Sequence, residues 1–274
     1  MKIIETMLCG KFNQQRCEDS LFVSDDFVAV VDGVSSKTDF RFEGKTSGKL
    51  ASEFVVETLK TLPREAELSE LLNAINQRFA QFYEDVPAFP PEERKDCGLQ
   101  AVCVVYSAYR RTIWQIGDCQ VLVDGMPYEN VKKSDAVICA MRGLMLDILE
   151  MRDGKTRIVE HDKEVLDVLF PWMVAVSAFA NEPKARYGYC VLNGQEIPLQ
   201  MVNTIPLEAG EHEVVLASDG YPCLEPTLKQ SEQGLEKLLR DDPQGRCLFA
   251  SARSLGEGQK SFDDRTYIRF LIEE

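Results

Sequence analysis

The sequence predicts an α+β fold in which antiparallel sheets carry helices on their outside. Three observations predict it. Strand-like and helix-like stretches come in blocks (strands, helices, strands, helices, strands) rather than in the strict alternation of a doubly wound parallel sheet. The segment CEDSLFVSDDFVAVVDG (17–33) reads as a tight antiparallel hairpin. The Pro-rich stretch VPAFPPEERKD (86–96) leaves no second self-contained core on either side, so residues 1–274 read as one domain.

The elements follow in order. KIIETML (2–8) is apolar enough for a strand, and SLFVS (20–24) and FVAVV (27–31) flank a turn at Ser24-Asp25-Asp26. A helix is expected over about 46–62, with Thr46 or Ser47 as N-cap and Leu50, Phe54 and Leu59 among its apolar positions. A second runs over about 69–85, where Leu71, Leu72, Ile75, Phe79, Phe82 and Tyr83 keep helical spacing. QAVCVVYSA (100–108) and TIWQIGD (112–118) are strands. Residues 134–172 read as helical, with Val137, Ile138, Met141, Leu144, Met145, Ile148 and Leu149 as apolar positions in the first part. Strands return near 187–217, a helix near 226–241, and TYIRFLI (266–272) is the last strand.

Bulk properties exclude several functions. A 45% hydrophobic content supports a sizeable core rather than disorder. A net charge of −14 argues against nucleic acid or an anionic membrane as the main partner. The nine cysteines are scattered, odd in number and without a C-x-x-C pair, which suits neither zinc nor a secreted disulfide framework. The N-terminal stretch is too short and polar for a signal peptide, and no apolar run approaches a membrane span. A cytoplasmic location is expected.

Two apolar runs end in a bare carboxylate followed by glycine: FVAVVDGVSS (27–36) at Asp32-Gly33 and EVVLASDGYP (213–222) at Asp219-Gly220. Each alone reads as a turn. Taken together they converge. Partners across a hairpin have a constant index sum, and a turn at or just after Asp25 sets it at 50 or 51, placing Asp32 opposite Glu18 or Asp19. If the strand ending at Asp219 runs antiparallel to the one that Asp263-Asp264 begins, these carboxylates share an end, and Asp118 can join the same rim. Like charges gathered so closely are unfavourable without a cation, and an all-oxygen set suits Mg²⁺ or Mn²⁺. Gly33 lets the backbone turn tightly and offer its carbonyl.

Four segments in chain order, CEDSLFVSDDFVAVVDG, GLQAVCVV…TIWQIGDCQVLV, VVLASDGYPCL and SFDDRTYIRF, together with the helix GKTSGKLASEFVVETL (44–59), resemble the motifs of the metal-dependent (PPM, or type 2C) serine/threonine protein phosphatases, in a divergent form. The resemblance covers nearly the whole chain. It implies a four-layer α-β-β-α sandwich, two antiparallel sheets packed centrally with helices on both outer faces. It implies two Mg²⁺ or Mn²⁺ ions and a weaker third. Asp32 is similar to the bridging aspartate, with the Gly33 carbonyl as a further ligand. Asp219 and Asp263 resemble the carboxylates of one ion's shell, Glu18 the glutamate near the other, and Asp118 the aspartate of the third. Asp32, Asp219 and Asp263 are thus the expected catalytic set, activating a water on a phosphorylated protein substrate, with the chain itself a monomer.

Departures accompany the likeness. Gln14 stands where the family places an arginine on the substrate phosphate, and Arg16 is the expected substitute. Cys223 replaces a second aspartate after SDG, and no histidine follows Asp32-Gly33, so water serves as general acid. Cys119 reads as a core residue, and His161 and His212 fall outside every motif. Two further readings stand beside phosphoserine/phosphothreonine hydrolysis: a phosphatase-like binding module without turnover, and a phosphoesterase acting on a small molecule.

Overall fold

The computed structural model describes residues 1–154 and 158–273. The chain runs β1 (Lys2–Cys9), β2 (Ser20–Val23), β3 (Phe27–Gly33), α1 (Ser47–Thr61), α2 (Leu68–Asp85), α3 (Arg94–Cys97), β4 (Ala101–Ser107), β5 (Thr112–Ile116), β6 (Gln120–Val123), β7 (Met126–Tyr128), α4 (Lys133–Asp153), α5 (Ile158–Ala175), β8 (Asn203–Pro206), β9 (His212–Ala217), α6 (Leu228–Asp241) and β10 (Arg265–Ile272). Two five-stranded sheets form, in the orders β1-β10-β9-β6-β7 and β2-β3-β4-β5-β8, with every neighbouring pair antiparallel.

Strand alternation on β3 builds the layers. Val28 and Val30 turn inward to meet Val104, Val121, Val214, Leu216, Ile268 and Phe270 between the sheets. Phe27, Ala29 and Val31 turn outward, where Leu50, Phe54, Leu59, Leu71, Ile75 and Phe79 of α1 and α2 cover them. On the far face Leu122, Val215, Ala217 and Tyr267 pack with Tyr221 and Leu228, and α6 lies against β1 there. Helices therefore cover both outer faces of a central pair of sheets, the expected four layers. Thr46 caps α1 by accepting from the Lys49 amide, as its position before the apolar run predicts.

Three stretches differ from expectation. The single helix over 134–172 is two helices: α4 ends at Gly154, whose φ of 81° is left-handed, and α5 continues to Ala175 with Pro171 inside it. The part of that expected helix at 155–157 lies outside the described residues. Its apolar positions also divide: Ile138, Leu146 and Leu149 are buried, the last two against Val165 and Leu169, while Val137, Met141, Leu144 and Ile148 are exposed. The stretch 187–202 is irregular, with isolated bridges (Ala180 to Tyr189, Ala101 to Leu192), and only 203–206 and 212–217 are strands. The β6–β7 hairpin, unexpected from the sequence, turns on Asp124-Gly125, both with positive φ (51° and 79°).

Candidate active site

The hairpin register is set by Ser20 opposite Val31, an index sum of 51, so Asp19 rather than Glu18 faces Asp32 at the end of β3. Beyond Asp32 the chain passes the start of α1 so closely that a Cβ on Gly33 would sit 2.3 Å from the Gly48 carbonyl oxygen and 2.7 Å from that of Glu18. Only glycine fits. The same holds after β9, where a Cβ on Gly220 would lie 2.0 Å from the Asp264 carbonyl oxygen. The two Asp-Gly pairs are thus the points at which each sheet's strand end is pressed against a neighbouring segment.

The adjacent carboxylates Asp263 and Asp264 have different surroundings. Asp264 is buried and accepts the backbone N–H groups of Lys11 (2.7 Å) and Glu18 (2.8 Å), tying the β1–β2 connection to the start of β10. Asp263 is half-buried and opens on a cleft of about 330 Å³. Asp32, Asp118 and Asp219 line that same cleft. Four of the six expected ligands, drawn from four separate segments, therefore meet on one wall. Asp118 follows Gly117, whose φ of 89° and contact with Val102 turn it into the cleft. Glu18 and Gly33 lie behind this wall, the Glu18 carboxylate accepting from the Thr46 hydroxyl at 2.5 Å.

Burial sets the electrostatics. It pushes the Asp32 carboxyl well above the carboxylate range, reinforced by the charges of Asp19, Asp219 and Asp263. Burial raises Asp219 as well, with Asp118 and Asp263 adding to it, and Asp32 and Asp219 hydrogen-bond to each other. Asp19, buried, is raised to about 7 by desolvation although the hydroxyls of Ser218 and Thr266 both donate to it at 2.8 Å. Among the described residues, no three His, Cys, Asp or Glu side chains are drawn tightly enough together to hold an ion as they stand. The donor set nevertheless fits a hard divalent cation. It is all oxygen, its paired carboxylates are costly to ionise side by side, and Asp118 and Asp263 line the same cleft.

Arg16 does not reach this site. Gln14–Arg16 is a short 3₁₀ turn capped by Asn13. The side chain is exposed, its guanidinium 5.3 Å from the centre of the Phe12 ring. The cations that the cleft presents are Lys37, Lys132 and Arg253, with Lys11 packed behind Asp263. The sequence offered little signal for them, since all four stand in connections between regular elements. Lys132 is committed to Asp135 at 3.0 Å, whereas Lys37 has its pKa lowered by burial and by Lys132. Cys119 is buried beside Asp118 with its thiol pushed well up by desolvation, so it is no thiolate nucleophile. His161 is buried in α5 and His212 pairs with Asp124 at 2.7 Å.

No protein-family model and no curated protein matches the sequence. Solved structures do. The catalytic domain of the serine/threonine protein phosphatase PstP, determined in complex with two manganese ions, superposes with a TM-score of 0.51 at 15% identity, covering 98% of this chain and 97% of that one. The chain has the fold of that phosphatase domain. PstP/Ppp of Mycobacterium tuberculosis (TM-score 0.49, 16% identity, 100% of both chains) and Stp1 of Staphylococcus aureus (0.49, 15%, 100% of this chain and 96% of that one) are also similar. In this fold the ends of β3 and β9 bring Asp32 and Asp219 to the cleft.

Proposed function

We propose that the chain is a Mg²⁺- or Mn²⁺-dependent phosphohydrolase of the PPM type that removes phosphate from phosphoserine or phosphothreonine in proteins. The observation that carries this is the convergence of Asp32, Asp118, Asp219 and Asp263 on one cleft. When bound, the cations would lower the pKa of a water and neutralise the phosphoryl charge during in-line displacement.

The chain's own residues supply the rest. Asp32 and Asp219 would hold the metal as fully ionised carboxylates, and Asp263 would complete the shell from β10. The Gly33 carbonyl is available because no side chain separates β3 from α1. Lys37 and Arg253, on the cleft wall, attract and orient the phosphate dianion. No histidine lines the cleft, so the leaving alkoxide takes its proton from water. Cys139 on the cleft wall and Cys119 beside Asp118 both have their thiols raised by burial, which disfavours a thiophosphate intermediate.

The test compares p-nitrophenyl phosphate, phosphopeptides and small phosphoesters, with Mn²⁺ and with EDTA. The proposal expects Mn²⁺-dependent turnover with phosphopeptides preferred, and its loss by roughly a hundred- to a thousandfold in Asp32→Asn, the size of a removed charge-stabilising group. Preference for the small esters would make the chain a small-molecule phosphoesterase. No hydrolysis of any of them would leave a binding module.

A further inference from the structure

The carboxylate centre contains a cation of its own. Lys11 leaves β1 through Gly10, where a Cβ would lie 2.2 Å from the Asn13 carbonyl oxygen, so the chain folds back sharply at this point. The Lys11 backbone is then held on both sides. Its N–H donates to Asp264 at 2.7 Å and its carbonyl accepts from the Lys260 N–H at 2.7 Å. The side chain, 9% exposed, runs inward and sets its ammonium 2.6 Å from Asp263 Oδ1 and 3.1 Å from Ser35 Oγ. Ser35 also hydrogen-bonds Glu18, and the charges acting on the ammonium are those of Asp263, Asp264 and Glu18.

These partners divide the centre in two. At one end Asp32 and Asp219 lie together on the cleft, and among the described residues no ion pair to a cationic side chain is made by either. At the other, Glu18 and Asp263 already have a buried positive charge beside them. A second divalent ion drawn to Glu18 would meet that ammonium at close range, in surroundings where like charges repel strongly. Asp264, which could otherwise assist, has both oxygens committed to backbone amides.

We infer that the Lys11 ammonium takes the electrostatic place of one of the two cations, so that this chain's centre binds a single divalent ion, at the Asp32–Asp219 end. The inference rests on the proposed metal-dependent function but makes its own claim about stoichiometry. Lys11 is then a positioning residue: through Ser35 it holds Glu18 in place as the second metal would have done, and because it engages Asp263 through Oδ1, Asp263 can still complete the shell of the retained ion through Oδ2.

The experiment counts metal and needs no substrate. Full-length protein is dialysed against Mn²⁺, its bound manganese is measured by elemental analysis, and its electron paramagnetic resonance spectrum is recorded. Wild type is expected to hold one Mn²⁺ per chain with the six-line signal of an isolated ion. Lys11→Met, similar in length but uncharged, is expected to gain a second equivalent and the broadened signal of two coupled ions. Lys11→Arg keeps the charge and should stay at one. Two equivalents in wild type, or a single one in folded Lys11→Met, overturns the inference and leaves the proposed function standing. No bound Mn²⁺ in wild type overturns both. If Lys11→Met does not fold, the wild-type count and Lys11→Arg still decide.

Discussion

Asp263 and Asp264 are adjacent in sequence, yet their losses should have different consequences. Asp264 is 3% exposed and accepts two buried backbone amides, a charge-assisted pair that joins β10 to the β1–β2 connection. Asp264→Ala strands those donors and should cost roughly 2–4 kcal/mol, a fall in Tm of about 5–10 °C for a chain of this size. Asp263 opens on the cleft, and its Oδ1 accepts from the Lys11 ammonium at 2.6 Å and from the Asp264 N–H at 2.8 Å. Asp263→Asn, which keeps an oxygen for the buried Lys11 ammonium, should leave Tm within a few degrees of wild type while removing most phosphatase activity. Thermal denaturation and turnover on a phosphopeptide check the two together. Equal loss of stability in both variants would show that the register at the start of β10 is not the one described. The sequence made Asp263 and Asp264 visible as an acidic pair at the start of the last strand. The division of labour was hidden because it depends on which backbone amides lie nearby, and those belong to residues 11 and 18.

At the scale of the element, the part of the molecule that shapes the cleft beyond the carboxylates is the α4–α5 pair and the loop after α6. Ile138 and Cys139 of α4, Phe170 and Met173 of α5 and residues 249–253 form the opposite wall. Arg142, fully buried, joins them. Its guanidinium donates to the carbonyls of Gln244 (2.9 Å), Gly245 (3.3 Å) and Ser251 (3.2 Å), and to Asp162 at 2.6 Å. Asp242 secures the same loop by accepting from the amides of Arg246, Cys247 and Leu248. Arg142→Ala leaves Asp162 without its cation and three carbonyls without a donor, and should cost roughly 3–5 kcal/mol. Hydrogen exchange should speed up over 244–254 before the sheets are affected. Arg142→Lys should not rescue it, because one ammonium cannot reproduce a planar fork that meets a carboxylate and several carbonyls together. Unchanged exchange in that loop would refute the coupling. This wall was also where the sequence was least legible. Strands β1 to β5, β9 and β10 and helices α1, α2 and α6 could be placed from their apolar runs, period and caps. The helical reading of 134–172 missed the break at Gly154, where glycine permits a left-handed backbone, and α4 carries apolar residues on an exposed face as well as a buried one, which blurs its period. The Asp124-Gly125 turn was a readable signal for the β6–β7 hairpin that went unused. Arg142 gave none, since an arginine in mid-helix ordinarily points to solvent.

For the whole molecule, the acidic balance and the buried carboxylates together set how stability varies with pH. Asp19 is raised to about 7, and Asp32 and Asp219 are raised well above the carboxylate range, all with desolvation as the largest cause. Unfolded, such groups titrate near 4. Between that value and about 7 the folded chain therefore binds more protons than the unfolded one, and stability falls as pH rises. A tenfold change in proton affinity is worth about 1.4 kcal/mol, so the effect reads as several degrees in Tm. Asp242 and Glu232 act in the opposite sense, their carboxyls being held below the ordinary range by backbone amides and by Arg265 respectively. Their contribution is present above pH ~4 and lost below it. The metal-free protein should thus be most stable in the mildly acidic range, near pH ~5, and lose Tm steadily toward pH 8. A divalent ion reverses the slope, because it binds only ionised carboxylates and stabilises by mass action. In Mn²⁺ at about a hundred times its Kd the gain is roughly 2.7 kcal/mol, and it should grow with pH over the range where the metal-free protein weakens. Thermal denaturation from pH 5 to 8, in EDTA and in Mn²⁺, should give two lines that diverge as pH rises. Asp219→Asn removes one of the crowded charges, so it should flatten the EDTA line and shrink the Mn²⁺ gain together. Parallel lines, or an Asp219→Asn protein with the wild-type gap, would mean that the raised carboxylates are a structural feature of the rim and not a cation site.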